Sequence, residues 1–223
     1  MKINKTVSIT CHSVTIDGID VMINRDMDSV KRPTIAIFGG SLADMPTSIN
    51  KTLLRGLCVS IGEKLGRKKF NILTAGSTGI PQWIAKSARK NGASVWTLAD
   101  RGTPRKDSDE YTDVGLYTNL DHEFISYLMG YVADIAIVVG GGIGTLIKSS
   151  IMVDYEKPLI CIKSTGGIAS KIPDLFREAI HNFQDLNLYE VETVNELMKV
   201  INRLTEGKIM LESKLQRVWS QIK

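Results

Sequence analysis

From Pro33 onward, short apolar runs alternate with longer segments in which apolar residues recur every three or four positions. The short runs are typical of strands that are buried on both faces of a sheet, and the periodic segments are typical of helices that bury one face. The runs predict strands at 34–38, 71–74, 93–98, 115–118, 135–139, 159–162 and 188–191. The periodic segments predict helices at about 46–66, 80–91, 121–132, 145–154 and 173–183, and one beginning at Thr193. This alternation predicts an α/β fold: a Rossmann-like, doubly wound parallel sheet with helices on both faces.

The two ends of the chain have different patterns. Residues 1–32 alternate apolar and polar positions on either side of Asp17-Gly18, which predicts an N-terminal β-hairpin extension; a disordered arm is the alternative. Residues 208–222 place four apolar side chains on one helical face, which predicts an amphipathic helix that docks on the domain or pairs with a second subunit. We therefore expect a hairpin at 1–32 and one domain at 33–223 that includes this C-terminal helix.

Composition narrows the function classes. A net charge of +4, with basic residues spread along the chain, does not favour a nucleic-acid groove. Neither the three cysteines nor the three histidines have metal-ligand spacing, so we expect no metal site. The sequence lacks the apolar core of a signal peptide and the roughly 20-residue apolar run of a membrane span. These features predict a cytoplasmic protein that does not contact membranes.

Three predicted strands end in glycine-rich turns that lead into helices. Carboxyl ends of parallel strands lie at one edge of the sheet, where open α/β sheets bind ligands, and the N–H groups of a helix start attract anions. We therefore predict a phosphate-binding site formed by Gly39, Gly40, Ser41, Gly76, Ser77, Thr78, Gly79, Gly140, Gly141, Gly142, Gly144, Thr145 and Lys148. The turns match neither the P-loop nor the dinucleotide-binding GxGxxG pattern.

The segments Ile35–Ser41, Leu73–Ile80 and Ala133–Leu146 together resemble the SLOG superfamily, over about residues 33–205. Its members include LOG-type cytokinin-activating phosphoribohydrolases (often called lysine decarboxylases), bacterial molybdenum-cofactor carrier proteins and the DNA-processing protein A domain. The resemblance implies a Rossmann-like fold, a nucleotide-derived ligand whose phosphate lies on residues 140–145, and assembly into homo-oligomers.

The sequence departs from the hydrolase members at three positions. LOG enzymes carry a Pro-Gly-Gly-x-Gly-Thr-x-x-Glu motif, and this chain has Gly140 in place of the proline and Lys148 in place of the catalytic glutamate. The position of the family arginine falls on Ile125. Cleavage of an N-glycosidic bond needs a carboxylate to stabilise positive charge on the ribose or to activate water. The resemblance therefore predicts binding without LOG-type hydrolysis.

We accordingly expect a protein that binds a nucleotide or a molybdopterin-type ligand, as a carrier or a nucleotide sensor. Lys148 pairs with a ligand phosphate or is a surface lysine, and His122 is interpreted as a helix-surface residue. The alternative is an N-glycosidase or phosphoribohydrolase that acts on nucleoside monophosphates with a relocated acid, Glu123 or Asp100. Binding of single-stranded nucleic acid is a weaker alternative.

Overall fold

The computed structural model describes residues 12–16, 19–23, 32–42, 50–179 and 186–206. Within these ranges, one sheet contains nine strands: β1 (His12–Ile16), β2 (Ile19–Ile23), β3 (Thr34–Gly39), β4 (Asn71–Thr74), β5 (Ser94–Ala99), β6 (Val114–Tyr117), β7 (Ile135–Val139), β8 (Leu159–Ile162) and β9 (Leu188–Val191). The α-helices are α1 (Lys51–Arg67), α2 (Ile80–Lys90), α3 (His122–Val132), α4 (Ile143–Asp154), α5 (Ile172–Ala179) and α6 (Val194–Glu206).

The strand order is β1-β2-β6-β5-β4-β3-β7-β8-β9, and the strands from β3 to β9 are parallel. The predicted Rossmann-like fold is therefore confirmed. The N-terminal hairpin is also present, because β1 and β2 pair antiparallel. Strand β2 then pairs antiparallel with β6, so the hairpin lengthens the main sheet at one edge. The division into a 1–32 extension and a 33–223 domain stays a prediction.

Two hydrophobic clusters hold the helices on opposite faces of the sheet. Successive residues of a strand point to opposite faces, so Ile37 of β3 joins one cluster and Phe38 joins the other. The first cluster contains buried residues of α1, α2 and α6, such as Ile61, and the second contains residues of α3, α4 and α5, such as Met129. Full burial of each such side chain contributes about 1.5–3 kcal/mol to folding.

Side-chain hydrogen bonds fix several helix ends. The α1 helix begins at Lys51, where the Asn50 side chain caps it, and this start is later than predicted. The predicted start, Pro46, lies outside the described residues. Thr193 Oγ1 accepts a hydrogen bond from the amide of Glu196 at the start of α6, as its sequence predicts. At the end of α3, Lys157 Nζ donates to three main-chain carbonyls, those of Gly130, Tyr131 and Ala133.

The predicted helix at 208–222 and the last residues of the predicted helix at 173–183 lie outside the described residues. Among the helices that the structure does describe, none has the length and apolar character needed to cross a membrane.

Candidate functional site

A cleft of about 450 Å³ opens where β3 and β7 end, at the point where the strand order reverses. The chain builds the sheet outward from β3 to β6 and then returns to place β7 on the other side of β3. Helices after β3 and β7 therefore lie on different sides of this point and leave a crevice, which is the usual ligand position in doubly wound sheets. The lining residues are Ile37, Phe38, Gly39, Gly40, Ser41, Ala75, Ser77, Pro81, Asp100, Thr103, His122, Gly142, Ile143, Gly144, Thr145 and Lys148.

The N-terminus of α4 faces the cleft with its first N–H groups open. Gly142 is the N-cap residue and has no side chain to accept from them. The amides of Thr145 and Leu146 both donate to Gly142 O, at 3.1 and 3.0 Å. The amides of Ile143 and Gly144 have no acceptor among the described residues. Such free donors at the positive end of a helix dipole bind anions.

The helices that follow the other two glycine-rich turns have some of their first amides satisfied. Asn50 Oδ1 accepts from the amide of Leu53 at 3.1 Å and so caps α1. In α2, the amide of Ile80 donates to Gly40 O at 3.2 Å, and Pro81 has no N–H group. The glycine-rich turn before α2 therefore offers far fewer main-chain donors to an anion than the turn before α4.

Two glycines of the predicted phosphate loop shape the turn instead of lining the cleft. Gly140 and Gly141 have positive φ angles of 56° and 83°, which favour glycine. Gly140 N–H donates to Thr165 Oγ1 at 2.8 Å, and its carbonyl accepts from the amide of Ala169 at 3.1 Å. A Cβ atom on Gly141 would overlap the Thr145 side chain. Both glycines thus anchor the turn against residues 165–169 and present the start of α4 to the cleft.

A hydrogen-bonded chain of three side chains crosses one wall of the cleft. Asp100, just after β5, accepts from His122 Nδ1 through Oδ2 at 3.0 Å. His122, the first residue of α3, faces Lys148 of α4, with 3.1 Å between Nε2 and Nζ. A Cβ atom on Gly144 would lie 3.2 Å from His122 Nε2, so glycine at this position makes room for the imidazole. We call Asp100, His122 and Lys148 the polar chain.

The charges of the polar chain follow from burial and hydrogen bonding. Burial lowers the pKa of Lys148 to about 8, although the nearby charges of Asp100 and Glu123 act in the opposite direction. Partial burial acts to raise the pKa of the Asp100 carboxyl, but hydrogen bonds from His122, Thr103 and the Gly102 amide outweigh it and hold that pKa below its usual value. Asp100 is therefore ionised at neutral pH, and the Lys148 ammonium group loses its proton more readily than that of an ordinary lysine.

The structure brings some of the predicted site residues into the cleft and leaves others outside it. Those that line the cleft are Gly39, Gly40, Ser41, Ser77, Gly142, Gly144, Thr145 and Lys148. Those that are not among its lining residues are Gly76, Thr78, Gly79, Gly140, Gly141 and Glu123. Gly79 packs against the main chain of residues 40–42 and so supports the first turn. Glu123 is exposed.

His122 is the cleft residue whose place the sequence interpretation missed. It was interpreted as a helix-surface residue, and 44% of its side chain is indeed exposed, yet its ring lies between Asp100 and Lys148. The available signal was its position: both Asp100 and His122 follow strands of the same parallel sheet, so both lie at its carboxyl edge. Among the described residues, no cluster of histidine, cysteine and carboxylate side chains forms a metal site.

Comparison with known proteins identifies the family of this chain and solved structures that share its fold. The SLOG cluster4 family matches residues 32–198. No curated protein sequence matches the chain. The crystal structure of TM1055, a structural-genomics target, superposes with a TM-score of 0.67 at 23% identity, covering 77% of this chain and 99% of that one.

Two other solved structures share the fold. The molybdenum cofactor carrier protein of Chlamydomonas reinhardtii has a TM-score of 0.62 at 17% identity, with 78% of this chain and 98% of that chain covered. DNA processing protein A of Helicobacter pylori, described as binding single-stranded DNA, has a TM-score of 0.56 at 13% identity, with 86% and 97% covered. At such identities the likeness establishes the fold.

Proposed function

Because this chain belongs to the SLOG cluster4 family, we propose that it binds a nucleotide or nucleotide-like phosphate ligand in the cleft, as a carrier or a sensor. The observation that carries this proposal is the open N-terminus of α4, where the free amides of Ile143 and Gly144 lie beside the buried amine of Lys148. Main-chain N–H groups and a cation at one place are the donors that a phosphate group needs.

The phosphate would accept from the amides of Ile143 and Gly144 and take its charge partner from Lys148. The Thr145 hydroxyl, at the same end of α4, is a further donor. Lys148 is only 7% exposed and has no ion pair with a carboxylate among the described residues. A bound dianion would supply the missing negative charge, which favours the protonated amine. Ligand binding thus offsets the cost of burying the Lys148 ammonium group.

The rest of the ligand would extend toward the first glycine turn and Ser77. The cleft volume lies within the range of roughly 300–1,000 Å³ that is typical of small-molecule sites. Gly40 lines the cleft with main-chain atoms only, and Ser41 and Ser77 offer hydroxyl groups. Because a molybdenum cofactor carrier protein shares the fold, a molybdopterin-type ligand is one identity within this proposal. Homo-oligomeric assembly and a cytoplasmic location remain part of the proposal.

The geometry favours binding over LOG-type hydrolysis. Hydrolysis of an N-glycosidic bond needs a carboxylate that can reach the ribose. Glu123 is exposed and is not among the lining residues. Asp100 lines the cleft, but one of its oxygens accepts from Gly102 N and Thr103 Oγ1, both at 2.9 Å, and the other accepts from His122. The alternative with a relocated acid therefore lacks a free carboxylate at the cleft.

A nucleic-acid ligand is less consistent with this site. Channels for single strands combine a row of basic residues with aromatic rings that stack on successive bases. The described lining of the cleft has one lysine, Lys148, and two aromatic rings: that of Phe38, which is only 1% exposed, and the imidazole of His122, which is held by Asp100. This composition suits a single phosphate-bearing small molecule.

Calorimetric titration of AMP and adenosine tests the proposal. Ile143→Pro removes one of the two free amides and keeps the helix, since proline is well tolerated at the first helical position and Gly142 lies outside the α region that proline disfavours, with φ −133° and ψ −145°. A charge-assisted hydrogen bond contributes about 1.5–3 kcal/mol. We therefore expect AMP to bind about 10- to 100-fold more weakly to this variant.

The control is Ile143→Ala, which removes the exposed side chain and keeps the amide. It should bind AMP like the wild type, and adenosine should bind both proteins weakly. Chromatography of the same mixtures should show no free base. Base release that disappears in Glu123→Gln would instead establish the hydrolase alternative, and equal AMP affinity in all three proteins would refute the phosphate site at α4.

A further inference from the structure

Lys148 lies in a setting that favours its neutral amine. Its Nζ contacts His122 Nε2 at 3.1 Å and Gly144 O at 3.5 Å, and neither partner is a carboxylate. A buried ammonium group normally pairs with a carboxylate because the loss of hydration is costly. With its pKa at about 8, on the order of one molecule in ten holds the free amine at pH 7. That fraction is large enough for Lys148 to act as a nucleophile.

His122 is oriented to receive a proton from this amine. Its Nδ1 faces the ionised Asp100 at 3.0 Å, so Nδ1 carries the proton and the lone pair of Nε2 faces Lys148. Asp100 itself is held by the Gly102 amide and the Thr103 hydroxyl. The imidazole therefore has one fixed tautomer and one fixed orientation, as a proton-transfer group requires.

The proposed phosphate subsite lies next to the same amine. Side chains of a helix lean toward its N-terminus, and Lys148 does so, because its Nζ lies within 3.5 Å of Gly144 O, one turn earlier. The free amide of Gly144 belongs to that same residue. A phosphate held at these amides would thus present the carbons next to it to Lys148 Nζ.

From this arrangement we propose that Lys148 captures a phosphorylated aldehyde or ketone, such as an open-chain sugar phosphate, as an imine in the cleft. The inference rests on the proposed function for its phosphate subsite, but for a carbonyl ligand the amides of Ile143 and Gly144 alone hold the phosphate, and Lys148 is the nucleophile instead of the charge partner. Lys148 Nζ adds to the carbonyl carbon, and His122 Nε2 takes the proton that the nitrogen loses. His122 delivers that proton to the carbonyl oxygen, which gives the carbinolamine. It then relays the second proton of the nitrogen to the hydroxyl group, which leaves as water while the C=N bond forms. The balance is one amine and one carbonyl giving one imine and one water, with no oxidant or reductant.

A lysine that only neutralises the phosphate would behave differently in a trapping experiment. Incubation with glycolaldehyde phosphate and sodium cyanoborohydride converts an imine into a stable secondary amine, which peptide mass spectrometry locates. We expect label on Lys148 at a rate at least about tenfold above that on the exposed Lys171, which serves as the internal reference. Glycolaldehyde, which lacks the phosphate, should label Lys148 more slowly than glycolaldehyde phosphate does and should label Lys171 at an unchanged rate.

Variants separate the nucleophile from its proton acceptor. Lys148→Arg keeps the positive charge but cannot form an imine, so label at this position should be lost, whereas Lys171→Arg should leave the Lys148 label unchanged. His122→Gln keeps a polar side chain without proton transfer, so labelling should slow about a hundredfold. The pH dependence of labelling should stay that of a lysine with a lowered pKa, because burial and not His122 lowers it.

AMP titration of the same proteins distinguishes the two proposals. If AMP binds and Lys148 labels no faster than Lys171, the imine proposal is wrong and the phosphate site stands. If AMP does not bind and Lys148 still labels selectively, the phosphate subsite is misplaced, and the part of the inference that depends on it fails. If neither occurs, both proposals are overturned.

Discussion

Replacing Lys148 by methionine should make the protein more stable while weakening phosphate binding. The wild-type protein holds this amine at 7% exposure, and burial lowers its pKa from 10.5 to about 8. Each pKa unit corresponds to about 1.4 kcal/mol, so keeping the ammonium in the folded state costs about 3 kcal/mol. Methionine has a similar stem and no charge. We expect Lys148→Met to raise the free energy of unfolding at pH 7 by about 1–3 kcal/mol.

The stability gained by Lys148→Met should decrease as the pH rises. The folded protein releases the Lys148 proton near pH 8, whereas the unfolded chain keeps it until about pH 10.5. Between these values the unfolded state binds more protons, so wild-type stability rises with pH. The destabilisation caused by the buried Lys148 ammonium group is therefore fully present below pH 8 and is lost as the pH rises from about 8 to 10.5. The advantage of Lys148→Met should shrink by about 2 kcal/mol between pH 7 and pH 9.5.

Urea unfolding of the wild type, Lys148→Met and Lys171→Met at pH 7 and pH 9.5 measures both effects. Lys171 is exposed, and its substitution should change stability by no more than about 0.5 kcal/mol at either pH. A Lys148→Met protein that is less stable than the wild type at pH 7 would refute the reasoning. So would a stability difference that stays constant between the two pH values.

Three further predictions follow from individual contacts. Gly144→Ala places a Cβ atom 3.2 Å from His122 Nε2, so the imidazole ¹⁵N shifts in NMR spectra should change. Gly141→Ala combines a φ of 83° with overlap of the Thr145 side chain and should cost about 1–3 kcal/mol in urea unfolding. Lys157→Met removes the donor to three carbonyls at the end of α3; unlike Lys148→Met it should destabilise, by about 1–3 kcal/mol, with faster hydrogen exchange in α3. Unchanged values in any of these measurements would contradict the role given to that contact.

The sequence predicts the middle of the parallel sheet well because strands such as β7 and β8 are apolar throughout. A continuous apolar run such as Ile135–Val139 is typical of a strand in the middle of a sheet that has helices on both faces. The run forms β7, and every residue of β7 is buried. The edge that carries the cleft follows from the same reasoning, since all parallel strands end there. Local patterns along the chain are sufficient for both conclusions.

Which residues face the cleft depends on contacts between residues that lie far apart in the sequence. Gly140 and Gly142 look alike in the sequence, but Gly140 is tied to Thr165, a contact across 25 positions. The polar chain joins Asp100, His122 and Lys148 from three separate elements, and no local spacing reveals their distances. Likewise, only the contacts of the folded chain show that the amides of Ile143 and Gly144 have no acceptor among the described residues.

The central claim is that a phosphate group binds at the start of α4, and NMR titration tests it most directly. In a ¹⁵N-labelled protein, AMP should shift the amide signals of Ile143 and Gly144 downfield, because both N–H groups gain a charged acceptor. Adenosine at the same concentration should leave these two signals in place. Saturation with AMP that moves other amides and leaves Ile143 and Gly144 unchanged would contradict the account.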